Sequence, residues 1–205
     1  MDDTLAIALF RHGLTEANKR HAYLGWSDSK LCPNEGKKLC PPGSAYEILF
    51  SSDLGRCLET AKLVFPFMQP FILPDLREIN FGCWEQMTYE ELKEDAVYRR
   101  WLSDPLTERP PEGEAFSEFT ARVDRGFEAA IKTTFQSNAK RAAIITHGGV
   151  IRFLLTKWAP EKKGFWDWKI EYGQGYELIW KRDYLREGKR CILLQEVPLM
   201  ESQNG

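Results

Sequence analysis

The sequence lacks most of the features that would tie a chain to a membrane, a metal ion or a disulfide framework. Its 205 residues have a formal net charge of −2, so no excess charge points to nucleic acid. No apolar run approaches the ~18 residues of a membrane span. The five cysteines are scattered and never form a C-x-x-C pair, a pattern that indicates neither a disulfide scaffold nor a zinc site. We therefore expect no metal or other cofactor, no nucleic-acid partner and no membrane partner.

The chain also lacks an obvious targeting segment, internal repeat or linker. Met1-Asp2-Asp3-Thr4 carries no basic region of the kind that opens a signal peptide, and unpaired cysteines are typical of a reducing compartment. We expect a cytoplasmic protein. With 43% hydrophobic residues, residues 1–205 can bury the core of a single domain, and nothing in the sequence indicates its oligomeric state.

Apolar runs alternate with amphipathic segments along the chain. Buried strands are predicted at 5–10, 46–50 and 142–146, and late strands at the sheet edge are predicted at 177–181 and 191–197. Helices are predicted at 54–65, 88–101 and 149–158, with a longer one starting near Phe116. This alternation is typical of an α/β protein, a three-layer α/β/α sandwich with a mostly parallel sheet. The stretch from about 84 to 114 could add a small helical cap over the site.

Two of these helices have a predicted buried face. In the first, Ser51-Ser52-Asp53 offers N-cap chemistry, the side chains at 54, 58, 61 and 65 share one face, and Pro66 ends the helix. In the long helix, apolar residues recur at steps of three and four. This recurrence favours core packing over a binding surface for Phe116, Phe119, Val123, Phe127, Ala130 and Ile131.

Two of the three histidines follow predicted strands. Residues 5–13 read Leu-Ala-Ile-Ala-Leu-Phe-Arg-His-Gly, and residues 142–149 read Ala-Ala-Ile-Ile-Thr-His-Gly-Gly. Sites in α/β proteins are built at the carboxyl ends of strands, and glycine there allows the backbone to approach a ligand closely. Polar residues leaving a strand would explain one such end, but two make a functional site the better interpretation.

If the ends of strands 5–10 and 142–146 are neighbours, Arg11, His12, Arg56 and His147 converge. Guanidinium groups bind phosphate oxygens through paired hydrogen bonds, and helix N-termini near Ser52 and Gly149 would add backbone donors. Nearby arginines lower the pKa of a histidine, so His12 could stay neutral and attack phosphorus. This chemistry gives a phosphohistidine intermediate and needs no metal ion.

The leaving group of such a reaction needs a proton, and a carboxyl group is the expected donor. The segment 76–85 offers Glu78 and Glu85 among aromatic residues that could raise a carboxyl pKa by desolvation. Spacing alone does not choose between them. Either one could instead be a surface carboxylate or an arginine partner.

Four motifs in order resemble the histidine phosphatase, or phosphoglycerate mutase-like, superfamily over most of the chain. They are Arg11-His12-Gly13 with Thr15 and Asn18, the segment 51–61 around Arg56, Leu76-Arg77-Glu78-Ile79, and the segment 146–152 beginning Thr-His-Gly-Gly. The short chain, the Trp84-Glu85 segment and Pro111-Glu112-Gly113-Glu114 are most similar to the α-ribazole phosphatase and broad-specificity phosphatase branch.

The resemblance implies roles for individual residues. His12 would be the phosphorylated nucleophile and Glu78 the proton donor, while Arg11, Arg56 and His147, with help from Asn18, would complete the phosphate pocket. Leu24 and Gly25 would place backbone near the substrate, and Gly148 would offer an amide. His21 matches no catalytic position.

The chain departs from the family pattern at Leu14, at Gln86 and in the short segment 36–51, which affects the site's outer wall more than its core.

The implied function is a metal-independent phosphomonoesterase acting on a small phosphorylated metabolite, with α-ribazole 5′-phosphate as a candidate. One alternative is a phosphoglycerate-type mutase, although no insertion that would hold a phosphoglycerate carboxylate is identifiable. The other alternative is a non-catalytic binder of phosphorylated ligands.

Overall fold

The computed structural model describes residues 3–199 and contains one six-stranded mixed sheet in the order β3-β2-β4-β1-β5-β6. The strands β2, β3, β4 and β1 pair in parallel, whereas β5 and β6 are antiparallel to their neighbours. The predicted α/β class with a mostly parallel sheet is confirmed. The strands are β1 (Thr4–Arg11), β2 (Ile48–Ser51), β3 (Phe71–Ile72), β4 (Arg141–Thr146), β5 (Gln174–Lys181) and β6 (Leu193–Pro198).

Helices cover both faces of the sheet. Successive side chains of β1 and β4 point to opposite faces, and each face packs against its own helices to form a separate core. Leu5, Ile7 and Leu9 belong to the larger core, whereas Ala8 and Phe10 belong to the smaller one. The helices are α1 (Glu16–Lys19), α2 (Pro33–Gly36), α3 (Gly55–Val64), α4 (Tyr89–Leu92), α5 (Ala96–Ser103), α6 (Phe116–Gln136), α7 (Gly148–Trp158) and α8 (Arg182–Arg186). The larger core lies under α6 and α7, and the smaller one under α3.

The structure corrects the predicted buried face of α3 at one position. Leu54, Ala61 and Phe65 are buried as predicted, but Leu58 is exposed. The helix begins at Gly55 without the side-chain cap expected from the residues at 51–53. The Ser52 hydroxyl instead lies 3.0 Å from Nε2 of His147, and the Asp53 carboxylate pairs with Arg77.

The helix predicted at 88–101 is two helices. A capping box of Thr88 and Glu91 starts α4, and the Asp95 carboxylate accepts from the amides of Val97 and Tyr98 to start α5. A second N-cap inside the segment breaks the continuous helix. Side chains of α4 and α5 pack with Trp84 in a third hydrophobic cluster, separate from the two main cores and formed by Trp84, Leu92, Tyr98 and Trp101.

Two further expectations are corrected in part. β5 lies inside the sheet between β1 and β6, so only β6 forms the predicted edge. In α6, Phe119, Val123 and Phe127 are core residues as predicted, but Phe116 is half-buried at the start of the helix. Within residues 3–199, every helix is too short or too polar to cross a lipid bilayer.

Candidate active site

Three parallel strands deliver polar residues to one edge of the sheet. His12 follows β1, Ser52 follows β2 and His147 follows β4. The strand ladder continues past each end, because the His12 amide donates to the Thr146 carbonyl and the Ser52 amide to the Ile145 carbonyl, both at 3.0 Å. The sheet therefore fixes the separation of the two histidines, whose ring centroids are 5.2 Å apart.

Among the described residues, the imidazole of His12 makes a hydrogen bond through only one of its two ring nitrogens. Its Nδ1 lies 2.8 Å from the Gly13 carbonyl, and the Gly13 amide donates to the Thr60 hydroxyl at 3.0 Å. Since a carbonyl can only accept, Nδ1 carries the hydrogen and Nε2 keeps its lone pair. Burial, together with the charges of Arg56 and Arg11, holds the pKa of His12 well below its ordinary value.

His147 is fully buried beside a hydroxyl and a thiol. Its Nε2 is 3.0 Å from the Ser52 hydroxyl and 3.4 Å from Sγ of Cys57. Burial lowers the pKa of this histidine well below its ordinary value, and the charge of Arg56 adds to the effect. Burial also raises the pKa of the Cys57 thiol to about 12, so both groups are uncharged at neutral pH.

The two predicted arginines lie beside His12 and are only partly hydrogen-bonded. Arg11 donates to the Ile170 carbonyl at 2.5 Å, and Arg56 donates to the carbonyls of Gly25 at 2.6 Å and Ser27 at 3.0 Å. The Nε atoms of both arginines are buried and have no acceptor within the described residues. Buried cationic donors without acceptors favour an anionic ligand.

The structure separates the two candidate carboxylates. Glu78 accepts the amides of Ile79 at 3.0 Å and Gly149 at 2.9 Å, which places it at the start of α7, next to His147. Glu85 accepts the amides of Gly25 at 3.0 Å and Trp26 at 2.9 Å, and those of Ser27 and Phe81 in addition. Glu85 therefore organises the loop at 25–27, whereas Glu78 lies at the start of the helix that follows His147.

Most of the other predicted residues also reach the site. A Cβ atom added to Gly148 would lie 3.3 Å from the guanidinium carbon of Arg11, and Leu24 and Gly25 present carbonyls to Arg56. The side-chain oxygen of Asn18 accepts the Thr15 hydroxyl at the start of α1, and its predicted contact with the substrate phosphate stays a prediction. His21 is exposed, as a residue outside the catalytic set should be.

Sequence reasoning missed three contacts of the site. The ring of Tyr172 lies 3.6 Å from the guanidinium carbon of Arg11, and nothing in the segment before β5 marks it. The amide of Gly149 donates to Glu78, a contact that the sequence does not indicate. Arg122 of α6 donates to the carbonyls of Asp75, Arg77 and Glu78, a role that a single arginine on an amphipathic helix does not reveal.

Arg11, His12, Arg56, Glu78 and His147 thus meet at the carboxyl ends of parallel strands. This arrangement defines a class of α/β protein with a cationic, buried histidine pocket fit for a phosphoryl group. Within residues 3–199, no three His, Cys, Asp or Glu side chains are arranged to hold a metal ion.

Comparison with known proteins identifies the family within that class. Residues 7–187 match the model of the histidine phosphatase superfamily (branch 1). The chain belongs to this superfamily, and we class it as a histidine phosphatase. The resemblance predicted from the four motifs is confirmed.

Three relatives illustrate the range of the family. The adenosylcobalamin/alpha-ribazole phosphatase of Salmonella typhimurium is 31% identical over 175 residues, covering 80% of this chain and 85% of the relative. A protein of Erwinia tasmaniensis named "probable phosphoglycerate mutase" is 30% identical over 161 residues, 74% of each chain. The crystal structure of the alpha-ribazole phosphatase from Shigella flexneri has a TM-score of 0.74 at 26% identity, covering 85% of this chain and 90% of that one.

Proposed function

We propose that this protein is a metal-independent phosphomonoesterase that acts on a small phosphorylated metabolite through a phosphohistidine on His12. The observation that carries the proposal is the state of His12, which is buried between two arginines with Nδ1 bonded to the Gly13 carbonyl. That arrangement leaves a neutral imidazole whose Nε2 is free to attack phosphorus.

In the first step, the Nε2 lone pair of His12 forms a bond to phosphorus and the bond from phosphorus to the ester oxygen breaks. Arg11 and Arg56 stabilise the charge on the non-bridging oxygens of the transition state. Glu78, protonated before the step, gives its proton to the leaving oxygen. The products are the free alcohol and a phosphohistidine.

In the second step, water attacks the phosphohistidine and gives its proton to the Glu78 carboxylate. The bond from phosphorus to nitrogen breaks, inorganic phosphate leaves, and His12 and protonated Glu78 are restored. His147, uncharged and bonded to Ser52, lines the same pocket as a hydrogen-bonding group.

The segment at 84–114 is proposed as a cap over this pocket, within a single domain that extends over residues 1–205; residues 1, 2 and 200–205 lie outside the described part. The substrate candidate is α-ribazole 5′-phosphate, because two relatives carry that substrate in their names. A phosphoglycerate-type mutase is the second candidate, favoured by the name of the Erwinia relative.

The proposal is tested by phosphate release in excess EDTA from a panel of phosphate esters that includes α-ribazole 5′-phosphate and 3-phosphoglycerate. Wild type is expected to release phosphate. His12→Ala is expected to fold normally and to lose turnover by at least about a thousandfold, as for other deleted nucleophiles. Residual turnover within tenfold of wild type would refute the assignment of His12 as the nucleophile. Isomer formation without phosphate release would identify a mutase, and binding without either reaction a non-catalytic member.

A further inference from the structure

A cleft with mainly apolar walls opens directly beside the candidate acid. Glu78 and Gly149 line it, together with the apolar side chains of Ile79, Phe81, Trp101, Phe116, Phe165 and Trp166. About 110 Å³ of space lies within it. This is of the same order as the ~150 Å³ of a protein cavity that binds benzene.

The apolar walls come from separate parts of the chain. Ile79 and Phe81 follow Glu78, Trp101 belongs to α5, Phe116 begins α6, and residues 165–166 lie in a 3-10 turn after α7. Convergence of distant segments on one opening is typical of a ligand pocket.

The aromatic residues at 116, 165 and 166 pack edge to face in one wall of the cleft. Phe116 and Phe165 have ring centroids 5.1 Å apart with perpendicular planes, and Phe165 meets Trp166 at 4.8 Å in the same manner. Trp166 is 58% exposed, so core packing does not account for it. An apolar ring held among these side chains would be removed from water on several sides.

The charged side chains that line the cleft are Glu78 and Arg152. Glu78 is the proposed proton donor, and Arg152 donates through Nε to the Trp168 carbonyl at 3.1 Å. A small hydroxylated leaving group would find few hydrogen-bonding partners along the other walls, whereas an apolar ring needs none.

We propose that this cleft binds the alcohol part of the phosphate ester and selects planar, apolar ring systems over small chains without a ring. The inference rests on the proposed phosphatase activity, because the leaving oxygen must lie at Glu78 for the alcohol to enter the cleft.

The test compares 2-phenylethyl phosphate with ethyl phosphate, two primary alkyl esters that differ by one ring. Wild type is expected to show a kcat/KM at least about tenfold higher for the aromatic ester, from the burial of apolar area. Phe165→Ala is expected to reduce this preference several-fold. Phe67→Ala, the same substitution at a 99% exposed position, is the matched control and should keep it. Equal kcat/KM values for the two esters would overturn the proposal.

A binding measurement separates failure of the cleft from failure of the proposed function. The non-hydrolysable 2-phenylethylphosphonate is expected to bind wild type at least about tenfold more tightly than ethylphosphonate by calorimetry, and Phe165→Ala should narrow the difference. Tighter binding of the aromatic phosphonate, without phosphate release from either ester, would contradict the proposed phosphatase activity and support the proposed role of the cleft. Phosphate release, with equal affinities for the two phosphonates, would contradict the proposed role of the cleft and support the proposed phosphatase activity.

Discussion

At the scale of single residues, the environment of each ionisable group decides its chemistry. Glu78 and Glu85 are only seven positions apart, yet Glu78 accepts the amide at the start of α7, whereas Glu85 holds the loop at 25–27. Glu85 accepts four amides and holds that loop in place. Glu78 accepts two amides, those of Ile79 and Gly149, and lines an open cleft.

This difference predicts opposite behaviour for two matched substitutions. Glu78→Gln cannot donate a proton, so it should slow esters with poor leaving groups by about 100-fold or more, the usual contribution of a general acid. Activated aryl esters, whose leaving groups need no proton, should lose far less. The measurement is kcat/KM over a series of esters of graded leaving-group pKa.

Glu85→Gln is the control for that series. It weakens the hydrogen bonds to Gly25, Trp26 and Ser27 and should affect all esters by a similar factor. Equal losses across the series for Glu78→Gln would instead point to Glu85 or to water as the acid.

At the scale of elements, α6 positions the loop that carries Glu78. Arg122 uses all five of its N–H donors: it bonds to both carboxylate oxygens of Glu114 and to the carbonyls of Asp75, Arg77 and Glu78. Its pair with Glu114 is nearly buried, with side chains 10% and 11% exposed. One guanidinium on a 21-residue helix thereby fixes several points of an otherwise irregular segment.

Arg122→Lys keeps the charge but removes most of these donors, since an ammonium cannot reproduce the planar fork. We expect kcat to fall about tenfold or more on poor leaving groups, because misplacement of a catalytic group by ~1 Å can cost 10²-fold. KM should change little, which a general loss of structure would not produce. Arg125→Lys, on the same helix but 62% exposed beside Asp75, is expected to behave as wild type, and a loss of kcat there of the same size would contradict the positioning role.

At the scale of the whole molecule, the burial of two uncharged histidines ties folding to pH. The pKa values of His12 and His147 are lowered in the folded protein, first by burial and then by Arg56. The unfolded chain therefore binds protons at a higher pH than the folded one. Stability is fully present above the unfolded pKa and decreases as the pH falls below it.

As the pH falls below about 6.5, each of these histidines is expected to lower the free energy of unfolding, by at most about 1.4 kcal/mol per pH unit. Urea unfolding at pH 7.5, 6 and 5 would measure this dependence. His147→Gln should remove one histidine's share of the slope, whereas His21→Gln, at an exposed position, should retain it. An unchanged slope in His147→Gln would contradict the assigned cause.

Local sequence determined the parts of this protein that depend on neighbours along the chain. The apolar runs predicted the strands β1, β2 and β4. The polar residues that follow each run, beginning at Arg11, Ser51 and Thr146, marked where the strand ends. Parallel pairing of these strands then followed from their alternation with helices, so His12 and His147 could be predicted to meet. The motifs around Arg56 and Glu78 were also recognisable from sequence.

Only the tertiary structure decided between groups whose sequence contexts are alike. The different amide partners of Glu78 and Glu85 and the contact of Tyr172 with Arg11 depend on how loops from distant strands close over the sheet edge. Phe116 has the spacing of a core residue, but the turn at 165–166 places it in the cleft. Periodicity reports which side of one element is apolar, whereas a site is formed by the surfaces that several elements present to one another.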